Sequence, residues 1–420
     1  MKRALFVTYY WPPSGKASLH WPIRMVQHLP AFGWQPYVLT VADDTFSEKD
    51  TSFAHVVDPA VRVARVRSIE PFRLYRSFLG KKKDEPLVAS ETISRANASL
   101  RHRFAIWVRM NLFVPDARIG WYWNAVHQGV EAFRNEKIDC VVSVGPPHTS
   151  LLVGRKLAMR LGVPHVPVFI DPWADIAYYR GFKRSVITTS LDRRLERSVL
   201  EHAGRIVFVT KSMKEDYEER YPGIRNKSHV LYWGYDEEAF QDFRTAAEEG
   251  QKTIVHAGNI FDLQNPTAFW ESVRNELDSG KKFRLVFVGT VGPEVRKSID
   301  ETGLGGIVAY KGFLPYEKMV HELGNASYLL VCASEKRHVP GKLFEYLRAG
   351  KPIIAFGNDN REVEEILNKC RAGILLPYQN SNTEIFKVLE SVRPDPGAAK
   401  QFERRVIASE LAQILASLPS

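Results

Sequence analysis

Residues 337–357 read R-H-V-P-G-K-L-F-E-Y-L-R-A-G-K-P-I-I-A-F-G, a run of loop, helix, turn and strand on which the fold class turns. Pro340 and Gly341 open the helix, and Leu343, Phe344 and Leu347 recur at helical spacing to give it an apolar face. Gly350 with Lys351-Pro352 closes it. Ile353 to Phe356 then predicts a short buried strand. A glycine at a helix opening lets a ligand approach bare N–H groups, which together with the helix dipole favour an anion such as phosphate. Lys342 adds a formal positive charge, and Glu345, three residues on, shares its face. A carboxylate beside a phosphate site suits ribose hydroxyls, so the pair suggests a nucleotide. The competing reading is plainer: Glu345 complements the dipole for about 0.5 kcal/mol, Lys342 is solvated, and Gly341 only permits a turn.

The alternation of strand and helix recurs along the chain. Residues 3–9 predict a strand, W-P-P-S-G-K-A-S a loop around Gly15, Leu19 to Ala31 a helix and Pro36 to Val41 a second strand, a βαβ unit without G-x-G-x-x-G. Asp139 to Val144 predicts a strand ending in G-P-P-H-T-S, and Val163 to Ile170 another ending in Asp171-Pro172-Trp173. His148 and Asp171 therefore stand at the carboxyl ends of successive parallel strands, where open α/β sheets bind ligands. Against this, Asp171 caps the following turn in the commoner fate of Asp-Pro. In the second half, strands at 253–256, 283–288, 308–310 and 328–332 end in Gly258, Gly289, Gly312 and Ala333. The fold class is α/β, with two Rossmann-like parallel-sheet domains. Residues 1–242 form the first, 243–252 a polar linker, 253–395 the second and 396–420 a closing helical segment.

A chain of 420 residues is too long for one ordinary core. Cys140, Cys332 and Cys370 are widely spaced in or beside apolar segments, which argues for buried thiols over a disulfide framework or a zinc site. No apolar run is long enough for a signal peptide or a membrane span, so the expected location is the cytoplasm. Of the net charge of +10, residues 61–120 carry most, with 13 Lys or Arg against 5 Asp or Glu. Within that segment Phe104, Ile106, Trp107, Val108, Met110, Leu112 and Phe113 lie among arginines. A helix of this kind lies on an anionic membrane surface, or packs on the core with its arginines in water. No nucleic-acid-binding module accompanies the basic stretch, so no nucleic-acid partner is expected.

The segment V-P-G-K-L-F-E-Y-L-R-A-G-K-P-I-I-A resembles the donor-site signature of the large retaining glycosyltransferase family, family four, with the two-domain GT-B fold. G-P-P-H-T-S and F-I-D-P-W resemble members acting on surface polysaccharide. The resemblance implies two Rossmann-like domains facing across a cleft and a nucleotide-diphosphate sugar as donor. It also implies a glycan or lipid-linked acceptor, transfer with retention, and no metal or other cofactor, there being no Asp-x-Asp motif. It assigns Glu345 to the donor ribose. Lys342, Pro340, Gly341 and Leu343 fall to the diphosphate, as do Gly15 and Gly258, and Gly312, Phe313 and Leu314 fall to the base. Asp171, His148 and Lys342 become the candidate catalytic residues, and the inner face of the membrane a place of association. The family commonly has glutamate where Arg337 stands, arginine where Ile170 stands, asparagine where Trp233 stands and a basic pair after the glycine at Gly258. Two alternatives therefore stand beside transfer: a nucleotide-sugar 2-epimerase, and a catalytically inactive binding partner in a polysaccharide assembly.

Overall fold

The computed structural model describes residues 1–46, 49–50, 53, 56–69, 100–175, 184–245, 250–379 and 384–419, with the backbone alone for 100–105. Its frame is two all-parallel sheets. In the first, β1 (Lys2–Thr8), β2 (Trp34–Val41), β3 (Val63–Val66), β4 (Cys140–Gly145), β5 (His165–Phe169), β6 (Ile206–Phe208) and β7 (Ser228–Val230) lie in the order β3-β2-β1-β4-β5-β6-β7. In the second, β8 (Gln251–Ala257), β9 (Lys282–Val288), β10 (Val308–Gly312), β11 (Tyr328–Cys332), β12 (Ile353–Phe356) and β13 (Gly373–Leu376) lie in the order β10-β9-β8-β11-β12-β13. Each order reverses once, between β1 and β4 and between β8 and β11. Doubly wound sheets bind ligands at such reversals, outside the carboxyl ends of the strands.

The chain divides into two compact units, Met1–Tyr232 with Ile407–Ser420, and Trp233–Val406. The first boundary falls at Trp233 because Tyr235 is tied into the second unit, its N–H donating to Phe402 O and its carbonyl accepting from Arg404 N. The residues after Val406 belong with the first unit, where Arg205 Nη2 donates to Ser417 O at 2.6 Å and Leu418 packs beside Gly204. Residues 70–99, which hold much of the basic segment 61–120, and residues 246–249 of the linker lie outside the described residues.

Central strands are buried on both faces, so they read as unbroken apolar runs; β1 is buried from Ala4 to Thr8 and β12 throughout. In the first unit Leu5, Val7, Leu39, Val41 and Val141 pack against Trp121, Phe133, Val153 and Leu157 on one side of the sheet. Farther along the same face Phe169, Trp173, Phe208 and Tyr217 form a second cluster with Val199 and Leu200. The second unit is built around Phe269, Trp270, Leu285, Phe287, Ile354, Phe356 and Phe386. All three cysteines are free and buried.

Helices follow the strands with ordinary end chemistry. Helix α1 (Val186–His202) is capped by Ser185, whose hydroxyl accepts from Thr188 N, and α2 (Lys211–Arg220) by Thr210, which accepts from Met213 N. Helix α3 (Lys342–Ala349) opens at Gly341 and closes at Gly350, whose φ of 65° is the left-handed conformation that suits glycine.

Candidate active site

The reversal point of the second sheet gathers the glycines and charges that the sequence singles out. Gly258 follows β8 with φ of 101°, Gly289 follows β9 with φ of 109°, and Gly312 ends β10 with φ of 62°. Gly258 N donates to Val288 O at 2.7 Å and Gly289 N to Gly312 O at 2.6 Å, so the three strand ends are laced into one rim. A Cβ on Gly258 would lie 2.8 Å from Lys342 Nζ, and one on Gly341 would lie 3.0 Å from Cδ1 and Nε1 of Trp233. Gly258 needs glycine for its backbone angle, since the flexible end of Lys342 can swing aside, and at Gly341 an added carbon would press on the Trp233 ring.

At the mouth of α3, Leu343 N donates to Pro340 O and Phe344 N to Gly341 O. Gly341 and Lys342 therefore carry the first-turn amides without a backbone partner among the described residues, while the Leu343 side chain is fully buried. Lys342 Nζ donates to His256 Nε2 at 3.1 Å and to Asn259 O at 3.3 Å. His256 donates its other ring nitrogen to Leu330 O at 2.9 Å, which fixes the tautomer that presents a lone pair to the lysine. Burial pushes the His256 pKa well below its ordinary value, and the neighbouring ammonium pushes it further down. The same loss of solvent lowers Lys342 to about 8.

An anion bound at Lys342 meets a charged ammonium below about pH 8 and a neutral amine above it. The expected result is that affinity for inorganic pyrophosphate weakens as pH rises through that value. Calorimetric titration from pH 7 to 9.5 checks this, and the slope should vanish in Lys342→Arg, which stays charged.

Glu345, one turn into α3, is 6% exposed, and its Oε2 has no hydrogen-bond partner. Oε1 accepts from Tyr316 Oη at 3.2 Å, and Arg404, itself 1% exposed, stands 3.7 Å away. Burial raises the carboxyl pKa and Arg404 opposes the rise. Arg404 Nε also donates to the carbonyl of Trp233, the residue whose ring fills the space beside Gly341. Beyond Gly312, Phe313 is 86% exposed and Leu314 half-buried. Pro340 is buried, and Arg337 is exposed on the loop before α3.

In the first unit, β4 and β5 are neighbours, and their ends bring His148 against the Asp171 loop: His148 Nε2 lies 3.4 Å from Asp171 O. Burial raises the Asp171 carboxyl pKa and His148 pulls it down. The His148 ring stacks on Trp173, centroids 5.1 Å apart and planes within 15°. Asp116 anchors the start of the helix after His148, accepting from Thr149 N and Oγ1 at 2.9 Å each. Gly15 is exposed on the loop after β1. Among the described residues no group of three or more His, Cys, Asp or Glu is arranged to hold a metal ion.

The sequence reading missed His256, Tyr316 and Arg404 around the donor-site candidates, and Asp116, Asp192, Glu196 and Tyr217 around His148. Asp192 and Glu196 sit in a stretch, L-D-R-R-L-E-R, that looks solvated yet buries both carboxylates completely. Their spacing of four was the available signal, since it puts them on one helix face.

The Glycosyltransferase Family 4 model matches residues 77–239, and the Glycosyl transferases group 1 model matches residues 251–392. The "Probable glycosyltransferase WbjE" of Pseudomonas aeruginosa is 23% identical over 251 residues, covering 57% of this chain and 62% of that protein. Alpha-maltose-1-phosphate synthase of Mycolicibacterium smegmatis is 22% identical over 281 residues, 60% of this chain and 69% of that one. The match thus spans less than two thirds of the first relative's length. Among solved structures, Anabaena HepE in complex with UDP superposes with a TM-score of 0.63 at 15% identity over 100% of both chains. The lipopolysaccharide outer core galactosyltransferase WaaB does so with a TM-score of 0.60 at 13% identity over 99% of both. At such identities the likeness is one of fold. Two parallel-sheet units, each reversing its strand order once and each matched by a glycosyltransferase family model, place this chain among the family-four-type glycosyltransferases of the GT-B fold.

Proposed function

We propose that the enzyme is a metal-independent retaining transferase. The second unit holds a nucleoside-diphosphate sugar, and the acceptor is a glycan or lipid-linked sugar in the assembly of cell-surface polysaccharide or glycolipid. The observation that carries the reading is the single helical turn Gly341–Glu345, which joins two unpartnered amides, an ammonium and a buried carboxylate with a vacant oxygen. The amides and Lys342 take the diphosphate, Glu345 takes the ribose hydroxyls, and the backbone of Gly312, Phe313 and Leu314 takes the base. Gly258 gives the diphosphate close approach, and Gly15 belongs to the loop over it. As the anomeric carbon–phosphate oxygen bond breaks, the acceptor oxygen bonds to that carbon on the same face, and its proton passes to the departing diphosphate. Asp171 and His148 orient the acceptor and stabilise positive charge on the sugar.

The reading places the enzyme in the cytoplasm, with the basic segment 61–120 against the anionic inner face of the membrane. Among the described residues no helix is long and apolar enough to cross a membrane. Thermal-shift measurements with UDP, GDP, ADP and dTDP, each at about 100 times its Kd, test the donor site. One of them is expected to raise the melting temperature by about 5 °C, and Lys342→Ala to lose most of that rise. A variant that responds like the wild type refutes the assignment.

A further inference from the structure

The Asp171–Trp173 loop is held from below by groups that the transfer chemistry leaves unused. Trp173 is fully buried, and its indole Nε1 donates to Asp192 Oδ1 at 2.6 Å. Asp192 Oδ2 accepts from Arg184 at 2.7 Å, an ion pair almost wholly out of solvent. The Trp173 backbone N–H donates to Tyr217 Oη at 2.9 Å, and Tyr217 donates in turn to Glu196 Oε1 at 2.6 Å. Glu196 also accepts from Ala174 N at 3.2 Å and Tyr221 Oη at 2.7 Å, with Arg220 at 3.8 Å. The indole is thereby fixed at its edge and at its backbone, while its face carries the imidazole of His148.

His148 is itself buried, 4% exposed, and its ring edge lies beside Gly145. Its Nε2 has a partner in the Asp171 carbonyl at 3.4 Å, a long bond. One long hydrogen bond does not by itself set the plane of a ring, whereas a stacked aromatic partner does. Buried carboxylates are costly unless fully paired, and α1 places two of them, four residues apart, under this one loop. A structural anchor for a loop needs no aromatic platform beneath a neighbouring strand end; a device that sets a ring does.

We propose that Trp173, anchored by Asp192 and Tyr217, is the positioning residue for His148. Its stacked face holds the imidazole plane so that Nε2–H stays on the Asp171 carbonyl and Nδ1 faces outward as the working nitrogen. This rests on the reading of His148 given above. Asp192 and Glu196 act through Trp173 and touch no substrate.

The test combines two readouts. In the first, UDP-, ADP-, GDP- and dTDP-glucose are offered to the full-length protein and released nucleoside diphosphate is counted for wild type, His148→Ala, Trp173→Leu and the double variant. His148→Ala is expected to lower kcat about 10- to 100-fold, and Trp173→Leu about 10-fold with the donor KM unchanged. The double variant should be no slower than His148→Ala, because a misplaced ring and an absent ring lose the same step. Trp173→Phe, which keeps a ring, should recover part of the loss. Losses that add, or a fully active Trp173→Leu beside a crippled His148→Ala, overturn the positioning role. A fully active His148→Ala overturns the reading beneath it instead.

The second readout needs no substrate. In 15N-histidine-labelled protein the His148 signals, assigned by their loss in His148→Ala, should show one Nε2–H tautomer in the wild type. Trp173→Leu should show a mixture of tautomers or exchange broadening. Unchanged signals in a folded variant refute the proposal even if none of the four nucleotide sugars is turned over.

Discussion

Glu345→Gln is expected to weaken binding of a nucleoside diphosphate by about 10- to 100-fold. The glutamine fills the same volume, so the fold should stand. What disappears is a charged acceptor in a site 6% exposed to solvent, with one oxygen lacking any partner. Hydrogen bonds to charged groups contribute about 1.5–3 kcal/mol each, which is a factor of about 10 to 150 in affinity. The ribose assignment is checked by calorimetry with the nucleoside diphosphate that stabilises the wild type and its 2′,3′-dideoxy analogue. Wild type should distinguish the two by an order of magnitude or more, and Glu345→Gln should hardly distinguish them. Equal affinity of both proteins for that nucleoside diphosphate would remove Glu345 from the proposed site. A pH signature accompanies the change. Burial raises the Glu345 pKa, so its charged form, and with it the affinity, is present above that raised value and lost as pH falls through it. Lys342, at about 8, gives the opposite limb. Wild-type affinity should therefore be bell-shaped in pH, and Glu345→Gln should lack the acid side.

Gly289→Ala should be the most damaging methyl group that can be added near the donor site. Its backbone angle of 109° is one that alanine adopts only under strain. The new Cβ would stand 2.7 Å from the carbonyl carbon and oxygen of Gly258, backbone atoms that cannot rotate away. Strain of about 1–3 kcal/mol and overpacking of about 1–3 kcal/mol add in the same direction, so a loss of about 4 kcal/mol is expected. Gly280→Ala serves as the control. It shares a positive angle, 90°, but has nothing within 4 Å of the added carbon, so only the strain remains. Urea unfolding of the two variants should differ by at least about 1 kcal/mol, and Gly289→Ala should bind poorly whichever nucleoside diphosphate stabilises the wild type, because relief of the clash moves Gly258 away from Lys342. Equal stabilities would mean that the rim of strand ends is looser than its hydrogen bonds imply.

The long buried strands and the turn Gly341–Glu345 were legible in the sequence because each carries its signal locally: an unbroken apolar run, or charges set at helical spacing behind a glycine. β3 and β13 were not foreseen. Each is four residues long at a sheet edge, and Val63–Val66 carries an arginine while Gly373–Leu376 opens on glycine, so neither looks like a central strand. The surroundings of the site were hidden for another reason. His256 and Lys342 meet across 86 positions and Trp233 and Arg404 across 171, and no periodicity reports a contact made by folding. Trp233 was visible only as a departure from the family pattern. Its position beside Gly341 gives that departure a physical role as the wall of the helix mouth.

The first unit takes a further stretch, Ile407–Ser420, from the chain beyond the second unit. During synthesis the guanidinium of Arg205 is made some two hundred residues before Ser417, the partner it will bind. While the ribosome is still building the second unit, the first therefore waits with an unfinished surface, and it closes only after the second unit has been made. A nascent chain stalled before residue 407 would carry a complete second sheet and an incomplete first, the reverse of the usual order in which amino-terminal domains mature.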